Sequence, residues 1–176
     1  MKHVITIDPV SIDNMTDAIQ YVKMYTEDIE RKCAQLRRKI AEKIAWKASQ
    51  GFSTALADDI LTGEKRYGNV SVSVEEQGNI TVVIADGLDA VFIEFGAGVY
   101  YNGSVGSSPH PKGAELGLTI GSFDKGNGAK NVWGFRDEGS GETHLTHGTP
   151  AAMPMYRGYR EACKMVYDIA REVFGT

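Results

Sequence analysis

The residues of this chain best suited to chemistry are one carboxylate and two imidazoles in the segment Glu142-Thr-His-Leu-Thr-His147. Glu142, His144 and His147 are ligand types that zinc accepts in proteins. The segment is rich in glycine, however, and no helical pattern around it would hold the two rings in one direction. A fourth ligand and a second shell are not evident. A small metal-dependent hydrolase using this loop is one hypothesis, and histidines that are exposed or hydrogen-bonded without a metal are the alternative.

Other signs of catalysis or nucleotide binding are absent from the sequence. The glycines never form Gly-x-Gly-x-x-Gly between a strand and a helix, and neither a P-loop nor a Gly-x-Ser-x-Gly elbow occurs. Cys33 and Cys163 fall in helical patterns far apart, so we expect free, buried thiols. Cys33 would lie on an apolar helix face, where a nucleophile is inaccessible. Nucleotide binding is therefore unsupported, and we expect no cofactor.

Composition indicates one domain that its overall charge does not draw to nucleic acid or membranes. A chain of 176 residues with 42% hydrophobic and 24% charged residues can bury a core. Its net charge of −4 and pI near 5.6 argue against a general attraction to phosphate surfaces. No 18 apolar residues run together, and no basic segment precedes an apolar one at the start. We expect neither a signal peptide nor a transmembrane span.

The longest regular pattern lies in the first third of the chain. Apolar residues recur every three or four positions between Ile12 and Ile44, which predicts an amphipathic helix of roughly 35 residues, about 50 Å long. The apolar stripe is narrow, as in a coiled coil, so we expect another helix to pack along most of it. Gly51 is expected to end the helix. A short helix is expected to follow from Ala55 to Leu61.

Part of this helix is strongly basic. Residues 31–47 hold seven cationic residues and one acidic residue, a local charge of +6. Lys32, Lys39 and Lys43 lie on one flank of the apolar stripe, while other cations surround the helix. These three lysines are therefore predicted either to dock on acidic surfaces of a neighbouring subunit or to face DNA phosphates. The spread of charge around the helix favours docking, and a free, non-specific DNA-binding protein is a further hypothesis.

Three consecutive strands are predicted next. Apolar and polar residues alternate over 70–75 and again over 80–85, with a turn at Gln77-Gly78-Asn79 between them. The run Ala90 to Phe95 is expected to be the third strand of an antiparallel meander. It is apolar on both faces except at Glu94, so we expect cover on both faces, one of them from a neighbouring subunit.

A long loop or arm is predicted for residues 96–149, because they contain 13 of the 20 glycines. Residues 115–120 and 131–135 suggest a weak strand pair within it. Trp133 and Phe135 are large aromatic residues in this arm, and they suit either a partner's pocket or a return over the chain's own sheet.

The chain is predicted to end in a second amphipathic helix that begins at Pro154 and packs on the sheet. The expected fold is α+β, with a long N-terminal helix, a small antiparallel sheet, a glycine-rich loop and a C-terminal helix. We expect a single domain, in which the segments are residues 1–51 (N-terminal arm and helix), 52–95 (helix and meander), 96–149 (loop) and 150–176 (C-terminal helix).

Two short motifs resemble those of a family of tailed-bacteriophage proteins. They are Phe92-Ile-Glu-Phe-Gly-Ala-Gly98 and, beyond the long loop and Gly148, Ala151-Ala-Met-Pro-Met-Tyr156. Together they are similar to the neck or tail-component family named after gene product ten of a lambdoid phage, to which minor tail protein Z is related. Members pair an aromatic-x-Glu-aromatic-Gly-Thr strand end with a Pro-Phe-apolar helix start. In this chain Ala97 stands for the threonine and Met155 for the phenylalanine, and the resemblance covers residues 54–176.

The resemblance implies a structural virion protein without enzymatic activity, part of the neck, or head-tail connector, that completes the tail or joins it to the DNA-filled head. It implies a homo-oligomeric ring, expected to be a hexamer, around the channel for double-stranded DNA. The implied partners are a head-closure or connector protein and tail terminator or tail tube proteins, with no membrane. The implied location is the virion, after assembly in the host cytoplasm. We expect the subunit or partner interface to involve Phe92, Glu94, Phe95, Trp133, Phe135, Met153, Met155 and Tyr156.

Overall fold

The computed structural model of the chain describes residues 12–58, 65–67, 70–87, 89–98, 110–113, 115, 133–136, 141, 143–146, 148–149 and 151–175. Their helices are α1 (Ile12–Thr54), α2 (Ala90–Phe95) and α3 (Pro154–Phe174). Their strands are β1 (Leu56–Asp58), β2 (Lys65–Tyr67), β3 (Ser71–Gln77), β4 (Ile80–Asp86), β5 (Ala97–Gly98), β6 (Trp133–Arg136), β7 (Thr143–Thr146) and β8 (Gly148–Thr149). The predicted α+β class is confirmed.

Helix α1 is longer than predicted. It has 43 residues, which corresponds to about 65 Å. The prediction that Gly51 ends it is wrong, because the helix continues to Thr54. Gly51 instead allows α3 to approach closely, since a Cβ atom there would lie 2.6 Å from the Cβ of Pro154. In a sequence, a single glycine can mark either the end of a helix or a close contact between two helices, and Gly51 marks the contact.

The short helix predicted from Ala55 to Leu61 is also wrong where the structure describes it. Residues 56–58 form β1, which pairs antiparallel with β2 in the register Leu56 to Tyr67. Pairing with β2, which begins seven residues after β1 ends, overrides a weak local helical preference. The remainder of the predicted helix, residues 59–61, lies outside the described residues.

The predicted hairpin of β3 and β4 is confirmed. The strands pair antiparallel, with Val72 opposite Ala85 and Val74 opposite Val83. Gly78 in the turn has φ of +60°, a conformation that glycine adopts without a steric penalty. Both strands pack against α1.

The third predicted strand is wrong, because residues 90–95 form helix α2. Short apolar runs do not distinguish a buried strand from a buried helix. In a strand Ile93 and Glu94 would point to opposite faces, whereas the helix places Ala90, Ile93 and Glu94 together on its buried face and leaves Val91 exposed. The inference that a neighbouring subunit covers a second face of this run therefore loses its basis.

The predicted C-terminal helix is confirmed as α3, which begins at Pro154 and is followed by Gly175 in a left-handed conformation. Pro154 lies against Gly51, and Gly158 lies against Ile44 and Ala48, so α3 runs antiparallel to the C-terminal half of α1. Met155 joins a core that also receives apolar side chains from α1, α2 and the β3–β4 hairpin. The members of this core include Ala48, Phe52, Ala55, Ala90, Ile93, Val70, Val72, Ala85 and Ala152.

The segment predicted as a long loop contains two short antiparallel pairs. Strand β5 pairs with β8, in the register Ala97 to Thr149, and β6 pairs with β7, in the register Trp133 to Thr146. The strand partner predicted for residues 131–135 was 115–120, of which 116–120 lie outside the described residues. Within the described part of the chain, no helix combines the length and hydropathy needed to cross a membrane.

We predict that Gly158→Ala destabilises the protein, although alanine usually favours a helix over glycine by about 1 kcal/mol. The new Cβ would lie 2.8 Å from the carbonyl oxygen of Ile44. Overpacking of this kind costs about 1–3 kcal/mol. Chemical denaturation measures the change, and Arg157→Ala, one residue away on the exposed side, is the control, for which we expect a change within about 0.5 kcal/mol. A stabilised Gly158→Ala variant would contradict the close contact.

Candidate functional site: the buried Glu94 carboxylate

The most distinctive polar group of the described structure is the Glu94 carboxylate, whose residue is only 6% exposed. Its Oε2 accepts a hydrogen bond from the backbone N–H of Met155 at 2.8 Å, and its Oε1 accepts one from the N–H of Tyr156 at 2.9 Å. These N–H groups belong to the first turn of α3, where no intrahelical acceptor exists. The positive end of the helix dipole also favours a carboxylate here. Glu94 therefore caps α3 from 61 residues earlier in the chain.

Helix α3 has no cap of its own. Its N-cap residue is Met153, which makes no side-chain capping hydrogen bond and adopts left-handed angles, φ 53° and ψ 46°. A left-handed residue other than glycine costs about 1–2 kcal/mol. Contacts around Met153 must offset this cost. Among them are the hydrogen bonds to the charged carboxylate of Glu94.

The chain segments on either side of this contact lie directly against each other. The N–H of Ala152 donates to the carbonyl oxygen of Ile93 at 2.9 Å. Gly96 has φ of +83°, and a Cβ atom there would lie 3.0 Å from the backbone nitrogen of Ala151. The positive φ of Gly96 lets the chain turn sharply where helix α2 ends.

His110 adds a third segment to the site and is 7% exposed. Its Nε2 lies 3.0 Å from Glu94 Oε1, and its Nδ1 accepts a hydrogen bond from the backbone N–H of Lys112 at 3.0 Å. Because Nδ1 is an acceptor, the proton lies on Nε2, which donates to the carboxylate. The imidazole packs on the ring of Phe95, with centroids 4.3 Å apart, and edge-on to Tyr156 at 5.2 Å.

The site is arranged to join segments of the chain. Glu94 Oε1 receives donors from His110 and from Tyr156, Oε2 receives one from Met155, and both nitrogens of His110 are used. These donors all belong to the chain itself, whereas a general acid or base must reach a proton of the reacting group, directly or through one water. The geometry thus fixes α2, the 110–113 turn and the start of α3 relative to each other.

The structure brings together part of the predicted interface set. Glu94, Phe95, Met155 and Tyr156 meet around His110, and Met153 is adjacent in the chain. Phe92 is partly buried in α2. Trp133 and Phe135 lie in β6, and their side chains are outside the described part of the structure. A partner-contact role for these residues stays a prediction, but the described contacts of the Glu94 carboxylate are internal.

The three predicted docking or DNA-facing lysines each have a partner in their own subunit. Lys39 pairs with Glu172 of α3. Lys32 is 2.9 Å from Asp28, and Lys43 lies over the Trp46 ring at 5.1 Å from its centroid. Hydrogen bonds from Lys32 and then from Arg31 lower the pKa of the Asp28 carboxyl. Part of the local positive charge is thus balanced within the subunit.

The candidate metal loop is only partly described. His144 lies in β7, whose partner β6 places Phe135 opposite it, while Glu142 and His147 lie outside the described residues. The described part of the chain contains no group of three side chains that could hold a metal ion. Both cysteines are free, as predicted, but neither is fully buried: Cys33 is partly buried and Cys163 is exposed.

Sequence reasoning missed His110. Its signal was weak: a histidine between two prolines, Pro109 and Pro111, in a glycine-rich segment. Such a residue reads as part of a turn. Nothing local indicated that the turn would meet a carboxylate 16 residues earlier.

Comparisons of the chain with models of known protein families, with characterised proteins and with solved structures find no match.

We predict that Glu94→Gln destabilises the protein by about 2 kcal/mol or more. Glutamine keeps the shape of the side chain, but it has an NH₂ donor in place of one accepting oxygen, so this donor would face another donor. Hydrogen bonds to buried charged groups contribute about 1.5–3 kcal/mol. Chemical denaturation measures the loss. Glu75→Gln makes the same change on the exposed surface of β3 and should stay within about 0.5 kcal/mol of wild type. Equal stability of the two variants would show that Glu94 does not hold the start of α3.

Proposed function

We propose that the protein is a structural component of the neck of a tailed phage or phage-like particle, where it forms part of a ring that joins the head to the tail. One observation carries the proposal. The two motifs that resemble the tail-component family are about 60 residues apart and are joined by the Glu94 hydrogen bonds. The glutamate of the first motif caps the helix that begins in the second. Two short motifs that meet in one contact support a family relationship better than two that lie apart.

The surfaces of the helices support a role in assembly. The described chain exposes large apolar side chains on both long helices, among them Ile19 and Val22 on α1 and Tyr159 and Tyr167 on α3. Contiguous exposed apolar side chains are typical of surfaces that bind other proteins. A protein that works only within an assembly would carry such surfaces when isolated.

We predict that inactivating the gene for this protein leaves filled heads and finished tails unjoined in the host cell. Electron microscopy of the lysate would count the separated forms, and the wild-type gene supplied in trans should restore joined particles. A stop codon in another tail gene provides the comparison for a general assembly defect, because it should reduce tails themselves. Normal particles without the protein would refute the neck role.

The lysines of α1 allow the docking and DNA hypotheses to be separated. We expect the variant with Lys32, Lys39 and Lys43 all changed to Gln to yield heads and tails that fail to join, because the charges lie around the helix and suit rim contacts. DNA-facing lysines would instead yield joined particles that lose DNA. Particle counts and retained DNA measure the two outcomes. Lys112→Gln, which also removes an ion pair with an acidic neighbour, Glu115, but lies outside α1, is the control.

A further inference from the structure

We propose that two copies of the chain associate head to tail, with the N-terminal part of α1 of one copy packing antiparallel on the outer face of α3 of the next. The inference rests on the self-association within the proposed function and adds the two surfaces that would make it.

The first surface is the overhang, defined here as residues 15–30 of α1. Helix α3 has 21 residues against the 43 of α1 and begins opposite Gly51, so it runs beside only the C-terminal half. On the overhang Met15, Ile19 and Val22 continue the apolar stripe at intervals of four and three residues. All three are exposed, Ile19 by 56%. The stripe has the spacing of a helix that packs on another helix.

The second surface is the outer face of α3, defined by Tyr159, Cys163, Val166 and Tyr167. These side chains are exposed, Tyr167 by 71%. A different face of the same helix meets α1, because Gly158, Ala162, Ile169 and Val173 are buried. Helix α3 is therefore apolar on two faces, and the described part of the chain covers only one of them.

The charges beside the two surfaces are complementary. Residues 15–30 contain four acidic residues and one lysine, a net charge of −3. Beside the outer face of α3 lies an exposed strip with four cations, Arg157, Arg160, Lys164 and Arg171, and with one acidic residue, Asp168, next to Lys164 and Arg171. Within the subunit Lys164 pairs with Glu161, and Arg171 lies over the Tyr167 ring at 5.6 Å. The strip remains a basic border to an aromatic surface.

The positions of the charges specify the direction of packing. At about 100° per residue, Lys23, Glu27 and Glu30 lie on one side of the overhang stripe, the side reached by turning in the direction in which residue numbers advance around the helix. Arg160, Lys164 and Arg171 lie on the side of the outer face of α3 that is reached by the same turn. When two helices pack face to face, borders reached by the same turn meet only if the helices are antiparallel. An antiparallel contact therefore places Glu27 and Glu30 beside the arginines, whereas a parallel contact turns them towards the side of α3 that packs on α1. Lys23 is the one charge that such a contact would oppose.

The two surfaces are different, so the contact is heterologous: in a pair, one copy keeps a free overhang and the other keeps a free outer face. Repetition of such a contact builds a ring if the rotation closes and a filament if it does not. A contact between two overhangs would instead stop at a dimer.

Mixing two variants tests the inference. Ile19→Asp blocks the overhang and Tyr167→Asp blocks the outer face, so we expect each variant alone to be monomeric by sedimentation or native mass measurement. A mixture should form a species of two chains and nothing larger, because one intact overhang meets one intact face. Ile80→Asp is the control, since Ile80 is 64% exposed but lies in neither surface, and it should self-associate as wild type does.

A second variant gives an effect in the opposite direction. Lys23→Glu removes the one opposed charge and should tighten association by about two- to fivefold, the range of a single exposed ion pair. Circular dichroism should show unchanged helix content in every variant.

Three results would overturn the inference: a monomeric wild type over the whole concentration range, a mixture that stays monomeric, or an Ile19→Asp variant that associates normally. The particle experiment tests the neck role separately. If the protein self-associates by this contact but particles form normally without it, the neck role alone is refuted. If heads and tails fail to join without the protein but the mixture of the two variants stays monomeric, the contact alone is refuted.

Discussion

The start of α3 depends on a carboxylate supplied from elsewhere in the chain. A helix that begins Met153-Pro154 has no side chain to accept its first N–H groups, and its N-cap residue is left-handed. Glu94 supplies the acceptors, in a place where burial of a charge is tolerated because the carboxylate receives three hydrogen bonds. This contact joins α2, the turn at His110 and the first turn of α3. A change in any one of these elements would leave a buried charge with fewer partners.

Close backbone approach is the second constraint, and small residues make it possible. Gly51 and Gly158 lie where α1 and α3 are closest, and alanines at 41, 48 and 162 are buried in the same helices. Glu94 holds the first turn of α3 in place, and the glycines allow that turn to lie against α1. The two long helices thereby pack as an antiparallel pair, and the β3–β4 hairpin packs on α1.

The unequal lengths of the two paired helices also explain why so much apolar surface remains outside the core. A helix of 21 residues cannot cover one of 43, and the sheet occupies another part of α1. The uncovered stripe near Ile19 and the aromatic face near Tyr167 are therefore consequences of unequal element lengths. In a protein that acts alone such surfaces would favour unwanted association, whereas in a subunit they are available for specific contacts.

Local patterns in the sequence determined the elements with clear periodicity. The three-four spacing of α1, the alternation of β3 and β4 around Gly78, and Pro154 at the start of α3 were each readable, because helices, hairpins and helix starts depend on neighbouring residues. The two motifs that contain Glu94 and Pro154 were readable as well. Tertiary structure decided what those motifs do. Residues 90–95 are apolar except at Glu94, a pattern that suits a buried strand as well as a buried helix, but only the helix places Ile93 in the core and Glu94 at the start of α3 together. Gly51 looked like a helix stop because its closest neighbour, Pro154, is distant in sequence. His110 carried no local sign of its partner, since a hydrogen bond between segments depends on how the whole chain packs.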